Sequence, residues 1–173
     1  MPRNSQHVPH ADRAASVRGA ARAVLIANGY HDATMADIAR AADLTPNAVR
    51  WYLPTKDDAL ASTVDALIEE YLPPSAGRDV SALIDAVMQL RAYNGLAAAV
   101  LEREALSPAV AESAHRLHAI LGQLLDHAAP KPLADPARTA LLAVLLNEIA
   151  APRSLHRDGG TLRYTIDSLM PGG

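Results

Sequence analysis

Trp51 and Tyr52 stand side by side, and they are two of only six aromatic residues in a chain of 173. Asn47 and Arg50 lie just before them, and Pro46 and Pro54 fence the stretch. A helix here turns about 100° per residue, so with Val49 at about 0°, Leu53 falls near about 40° and the two share an inward face. Arg50 then lies near about 100°, Asn47 near about 160°, Trp51 near about 200° and Ala48 near about 260°. The face turned from the core presents a guanidinium, an amide, an indole and a methyl group. Arg can bond two acceptors of guanine, Asn can pair with adenine, and Ala can meet a thymine methyl. Trp51 and Tyr52 can pack on sugars and donate to phosphate. Lys56 adds charge at the start of the next helix, where free N–H groups already favour an anion. The same residues could instead cover a neighbouring helix of the same chain.

The elements that must hold this face are legible. Ala14, Val17, Ala21 and Val24/Leu25 recur at helical spacing from Asp12 to Asn28, and Gly29 is placed as a C-terminal cap. Thr34 with Asp37, and Thr55 with Asp58, form capping-box pairs that open two further helices. Thr45 and Pro46 open the short helix between them, and Pro54 closes it. Two short helices joined by a three-residue turn, behind a longer one, make a helix-turn-helix. After it, Leu60, Val64, Leu67 and Tyr71 recur at one-face spacing.

"LPPSAGRD", residues 72–79, is the strongest break in the chain. Helical stretches follow at about 80–93, 95–105, 108–128, 136–150 and 161–169. Ser107 and Asp135 stand in cap positions before their prolines, and Gly159-Gly160 marks a joint. No window alternates as a strand does, so the expected class is all-α.

Composition narrows the function classes. With no cysteine, disulfides and thiolate metal sites are excluded. No apolar run is long enough to span a membrane, and residues 1–10 lack a signal core, so a cytoplasmic protein with a mobile N-terminal tail is expected. The net charge of −3 hides an asymmetry. Residues 1–60 carry seven Lys/Arg against six Asp/Glu, and residues 61–173 carry nine against thirteen. A nucleic-acid function would have to be confined to the first third, and the charge split alone does not decide for one. Glu112, His115 and His118 fall at i, i+3 and i+6, but the outer two diverge by about 120° around a helix, which reads as a solvent-facing stripe. No catalytic grouping, Gly-rich phosphate loop or metal motif occurs, and no cofactor is expected.

The segment "GYHDATMADIARAADLTPNAVRWYLPTKDDAL" resembles the DNA-binding region of the TetR family of bacterial transcriptional regulators. The shared features are a Gly-Tyr pair ending the first helix, a Thr start, an "IA-xx-A" run, and aromatics before a Pro/Lys segment. Residues 12–71 fit without a gap. Asp43 stands where the family usually has Gly, Arg50 where it usually has Tyr, and Leu53 where it usually has Phe. Carried over by position, the resemblance implies that Thr34, Tyr52 and Lys56 hold phosphates. Thr45, Pro46, Asn47, Arg50 and Trp51 would lie at or near the bases.

The resemblance further implies a tail at 1–10, a DNA-binding domain at 11–58 and a helical ligand-binding and dimerisation domain at 59–173. The expected partners are a double-stranded operator, a second copy of the chain and a small-molecule effector. "TALLAVLLNEIAA", residues 139–151, is apolar nearly all round, and with the last helix it is a candidate dimer seam or an ordinary core helix. Met88, Leu90, Arg91, Tyr93, Asn94, Leu101 and Glu104 mix apolar and polar types as pocket walls do, and as an ordinary core with a solvated face also does. A repressor released from DNA by its effector is the expected function, and catalysis is not expected. The rival is a helical ligand-binding or interaction module that has lost DNA binding; a small all-α enzyme is a third reading.

Overall fold

A computed structural model describes residues 10–152 and 159–169; most of the expected N-terminal tail, residues 1–9, lies outside them. The described residues form an all-α fold. Helix α1 (His10–Asp32) buries Val17, Ala21 and Leu25 completely, the one-face spacing expected of it. Gly29 takes φ 76°, as a C-terminal glycine does, yet helical geometry resumes for one more turn beyond it. That break folds Tyr30 and Ala33 back onto the core.

Both capping boxes form, Thr34 with Asp37 at the start of α2 (Met35–Ala41) and Thr55 with Asp58 at the start of α4 (Lys56–Tyr71). Between them, α3 (Pro46–Arg50) is capped by the Thr45 hydroxyl, which accepts from the Ala48 N–H at 3.3 Å. The α2–α3 turn closes with Leu44 N–H donating to Ala39 O at 2.9 Å and Asp43 N–H to Arg40 O at 3.3 Å. Asp43 sits there at φ 53°, the left-handed position where glycine is commoner. A short carboxylate side chain tolerates it, and the turn keeps its shape.

α4 packs on α1 on one side and on α7 (Pro108–Ala128) on the other, so it joins the N-terminal three helices to the rest. The 72–79 break is a packed corner and no loose linker. Pro74–Gly77 forms a 3-10 turn that buries Ala76 and Gly77, and a Cβ on Gly77 would lie 2.9 Å from the Leu124 backbone.

Beyond it run α5 (Val80–Leu90), a 3-10 turn at Arg91–Tyr93, α6 (Asn94–Arg103), then α7, α8 (Asp135–Ala150) and α9 (Gly159–Leu169). Two local expectations are corrected and one is refined. Asp135 is the first residue of α8, with Ala134 in the cap position. Ser107 stands in the cap position of α7 as expected, but its hydroxyl turns to Asp57 and makes no cap hydrogen bond. Gly159 and Gly160 belong to the first turn of α9, where Gly159 lies against Ile84. α8 buries Leu141, Leu145 and Ile149 while Ala140, Ala143 and Asn147 stay exposed. Among the described residues no helix is long and apolar enough to cross a membrane.

Candidate functional site

α3 is only five residues long, too short to be stable alone, so its orientation comes from what it buries. Val49 is fully buried and Leu53 is 4 % exposed, which pins the inward face. Thr45, Pro46, Asn47 and Arg50 then stand in solvent together, and Trp51 is 87 % exposed. Burying an aromatic side chain of that size would contribute about 1.5–3 kcal/mol, which this fold forgoes. Ala48, expected outward, is half-buried beside Ala39 and Leu44. Tyr52 is also half-buried and packs on the core.

Thr34 is exposed; its hydroxyl accepts from the Asp37 N–H and donates to the Asp37 carboxylate. Lys56 is committed inward. Its ammonium donates to His31 O at 3.3 Å and Ala33 O at 3.2 Å and sits 4.4 Å from the centre of the Tyr30 ring. A cation there satisfies carbonyls left open at the end of α1, with one of its three N–H groups still free to point elsewhere. The spacing of Lys56 gave no hint of this contact, because its partners lie 23 and 25 residues earlier.

Next to it, three elements meet at one carboxylate. Arg103, at the end of α6, donates to Asp57 through Nη2 at 2.9 Å and Nε at 3.2 Å, and the Tyr30 hydroxyl donates to the same group at 2.5 Å. The Arg103 hydrogen bonds hold the Asp57 carboxyl below its usual range, with Tyr30 assisting. Burial, followed by the Asp57 carboxylate, pushes the Tyr30 hydroxyl up to about 12. His31 and Glu102 pair across the same seam at 3.1 Å. Sequence inspection missed this junction altogether.

A cavity of about 60 Å³ lies among α4 to α8. Of the residues expected to line it, Leu90, Tyr93, Leu101 and Glu104 do so. Met88, Arg91 and Asn94 do not. Met88 packs on the core elsewhere, and Asn94 faces a separate groove with Leu25 and Ile26. Arg91 is buried with its guanidinium 3.2 Å from the Glu148 carboxylate and 3.4 Å from Pro152 O. Val64, Leu67, Leu146 and Ile149 complete the apolar wall; nothing in their own spacing separates a cavity lining from ordinary core. Glu112, His115 and His118 are all exposed, as a stripe would be, but His118 also reaches the cavity edge. Among the described residues no group of His, Cys, Asp and Glu could hold a metal ion.

An exposed polar and aromatic face on the second helix of a helix-turn-helix, backed by a larger helical body, is the architecture of a DNA-binding transcriptional regulator. Residues 18–63 match the family model described as bacterial regulatory proteins, tetR family. Several solved structures share the fold. The multidrug binding protein EbrR complexed with imidazole aligns at TM-score 0.73 and 19 % identity, over 96 % of this chain and 98 % of its own. A TetR-family member from Streptomyces coelicolor aligns at 0.67 and 21 %, over 95 % and 100 %. The fatty acid degradation regulator FadR from Bacillus halodurans aligns at 0.63 and 21 %, over 98 % of each. No curated protein matches the chain.

Proposed function

We propose that the chain is a homodimeric repressor that leaves its operator when a small molecule enters the cavity beneath α6. The observation carrying the DNA half is the solvent-facing set Asn47, Arg50 and Trp51 on a helix whose opposite face is fully buried. A reader that had lost its DNA would have no reason to keep an indole in water beside an amide and a guanidinium. Thr34, Thr45, Pro46 and Tyr52 border that face, and Lys56 contributes its remaining N–H to phosphate. In this reading residues 11–58 bind DNA and residues 59–173 bind effector and partner.

The second copy follows from geometry of binding. Paired recognition helices must sit about 34–36 Å apart to enter successive major grooves. The exposed flank of α8, at Ala140, Ala143 and Asn147, and Tyr164 on α9, which is 77 % exposed, offer the seam.

The effector half is supported by the wiring of α6. It forms one wall of the cavity through Leu96, Ala97 and Val100, and its end grips Asp57 at the start of α4. The cavity of about 60 Å³ is well under the roughly 150 Å³ that accepts benzene, so a ring-sized ligand must push a wall aside. Movement of α6 pulls on Asp57, six residues beyond Trp51. Couplings of about 1–3 kcal/mol change affinity roughly 5–150-fold. EbrR, which shares the fold, has been solved with imidazole and with malachite green, in keeping with a small-molecule effector here.

The test is a gel shift against DNA flanking the chain's own gene, titrated with salt. Specific retardation lost on Arg50→Ala supports the reading; a parent protein that retards no flanking fragment more than random DNA sinks it.

A further inference from the structure

We infer that the cavity under α6 selects a small organic cation, an apolar body bearing one amine or quaternary ammonium, with Glu104 as its counter-ion. The inference rests on the effector reading above and names the chemistry of that site. Apart from Tyr93, Glu104 and His118, every residue of the lining is aliphatic, and no Lys or Arg is among them. Glu104 is thus the one residue of the lining drawn from Asp, Glu, Lys and Arg.

That carboxylate is badly placed for the protein alone. Glu104 is the C-terminal cap of α6, its N–H donating to Val100 O at 2.8 Å. A negative charge at the C-terminal end of a helix meets the negative end of the helix dipole, where a cation is favoured. The adjacent Arg103 does not compensate, since its guanidinium is spent on Asp57. Among the described residues no cation pairs with Glu104. His31, the other basic group near this end of α6, pairs with Glu102. The half-buried carboxylate thus faces an apolar cavity with its charge unmatched.

Tyr93 strengthens the preference. Its hydroxyl is engaged with the Tyr71 hydroxyl at 2.9 Å, which leaves its ring as the surface it gives the cavity, and an aromatic face attracts cations. Leu101 lines the cavity and is 57 % exposed, so it marks the mouth by which a ligand enters beside Glu104. An anionic ligand would meet like charge and find no guanidinium or ammonium to bind it. A neutral one would leave the carboxylate desolvated without a partner.

The experiment is calorimetric titration of the full chain, without DNA, using three soluble probes of like size: benzylamine, benzyl alcohol and benzoate. Benzylamine should bind about tenfold tighter than benzyl alcohol, a ratio ordinary for one partly desolvated ion pair or cation–π contact, and benzoate weakest. Glu104→Gln should remove that advantage while benzyl alcohol binds as before, which also shows the variant folded. Glu104→Lys should transfer the preference to benzoate. Benzoate binding as tightly as benzylamine, a benzylamine affinity indifferent to Glu104→Gln, or no heat from any probe at millimolar concentration would each overturn the inference. A parallel gel shift keeps the two readings apart: the charge preference with DNA still held would end the release mechanism and leave the cation site standing.

Discussion

Replacing Arg103 by methionine isolates the junction at Asp57, because the longer apolar stem keeps much of the packing and only the guanidinium is lost. The pair is intermediate in character, with side-chain exposures of 29 % for Arg103 and 14 % for Asp57. Fully exposed pairs contribute about 0–1 kcal/mol, whereas hydrogen bonds to a charged group in less solvent reach about 1.5–3 kcal/mol. Two such bonds at 2.9 and 3.2 Å, discounted for the wet side of Arg103, lead to an expected loss of about 2 kcal/mol for Arg103→Met. The assay is urea unfolding at fixed protomer concentration, run as a double-mutant cycle with Asp57→Asn. The coupling energy should be about 1–2 kcal/mol. Its pH dependence has a fixed direction. Folding lowers the Asp57 pKa, so the contribution is complete above the unfolded value of about 3.9 and drains away as pH falls through the lower folded value. Arg103→Met should flatten that acid limb. A coupling within about 0.3 kcal/mol of zero, or an acid limb that Arg103→Met leaves unchanged, would refute the argument that α6 holds α4 through this carboxylate.

Four further outcomes follow from the geometry described. Trp51→Ala, removing a side chain that is 87 % exposed, should leave stability within about 0.5 kcal/mol of the parent while weakening DNA binding in the gel shift. Arg50→Ala should cost about 1–3 kcal/mol concentrated at one base pair, read by a panel of single-pair operator variants. Lys56→Ala should do two things at once: lower the salt slope of DNA binding by about one, and reduce thermal stability by about 1 kcal/mol through the lost carbonyl and Tyr30 contacts. Unchanged stability would show that the inward contacts carry no weight. Gly77→Ala, which sets a methyl group 2.9 Å from the Leu124 backbone, should destabilise by about 1–3 kcal/mol in urea. A neutral result would mean that the 72–79 corner yields easily.

Whether a feature could be read in advance depended on how far apart in sequence its parts lie. The capping boxes at Thr34 and Thr55, the proline at position 46 and the glycine at 29 act within four residues, and each formed as its local chemistry requires. The outward face of α3 was legible for the same reason, since burial of Val49 and Leu53 fixes where Asn47, Arg50 and Trp51 point. Lys56 was half legible: its position promised charge near DNA, but the carbonyls that claim it belong to the end of α1. The cavity was the hardest to read. Arg91 and Glu104 look alike as polar residues on apolar helices, yet Arg91 is drawn into the core by Glu148, 57 positions later, while Glu104 lines the cavity. What distinguishes them is the location of a partner, which is a property of tertiary packing. The same reasoning explains why Arg103 matters more than its neighbours: reaching Asp57 across 46 residues, its guanidinium is spent there and not on the adjacent Glu104. A single side chain thereby ties the cavity wall at α6 to the start of α4, the helix that follows the helix-turn-helix.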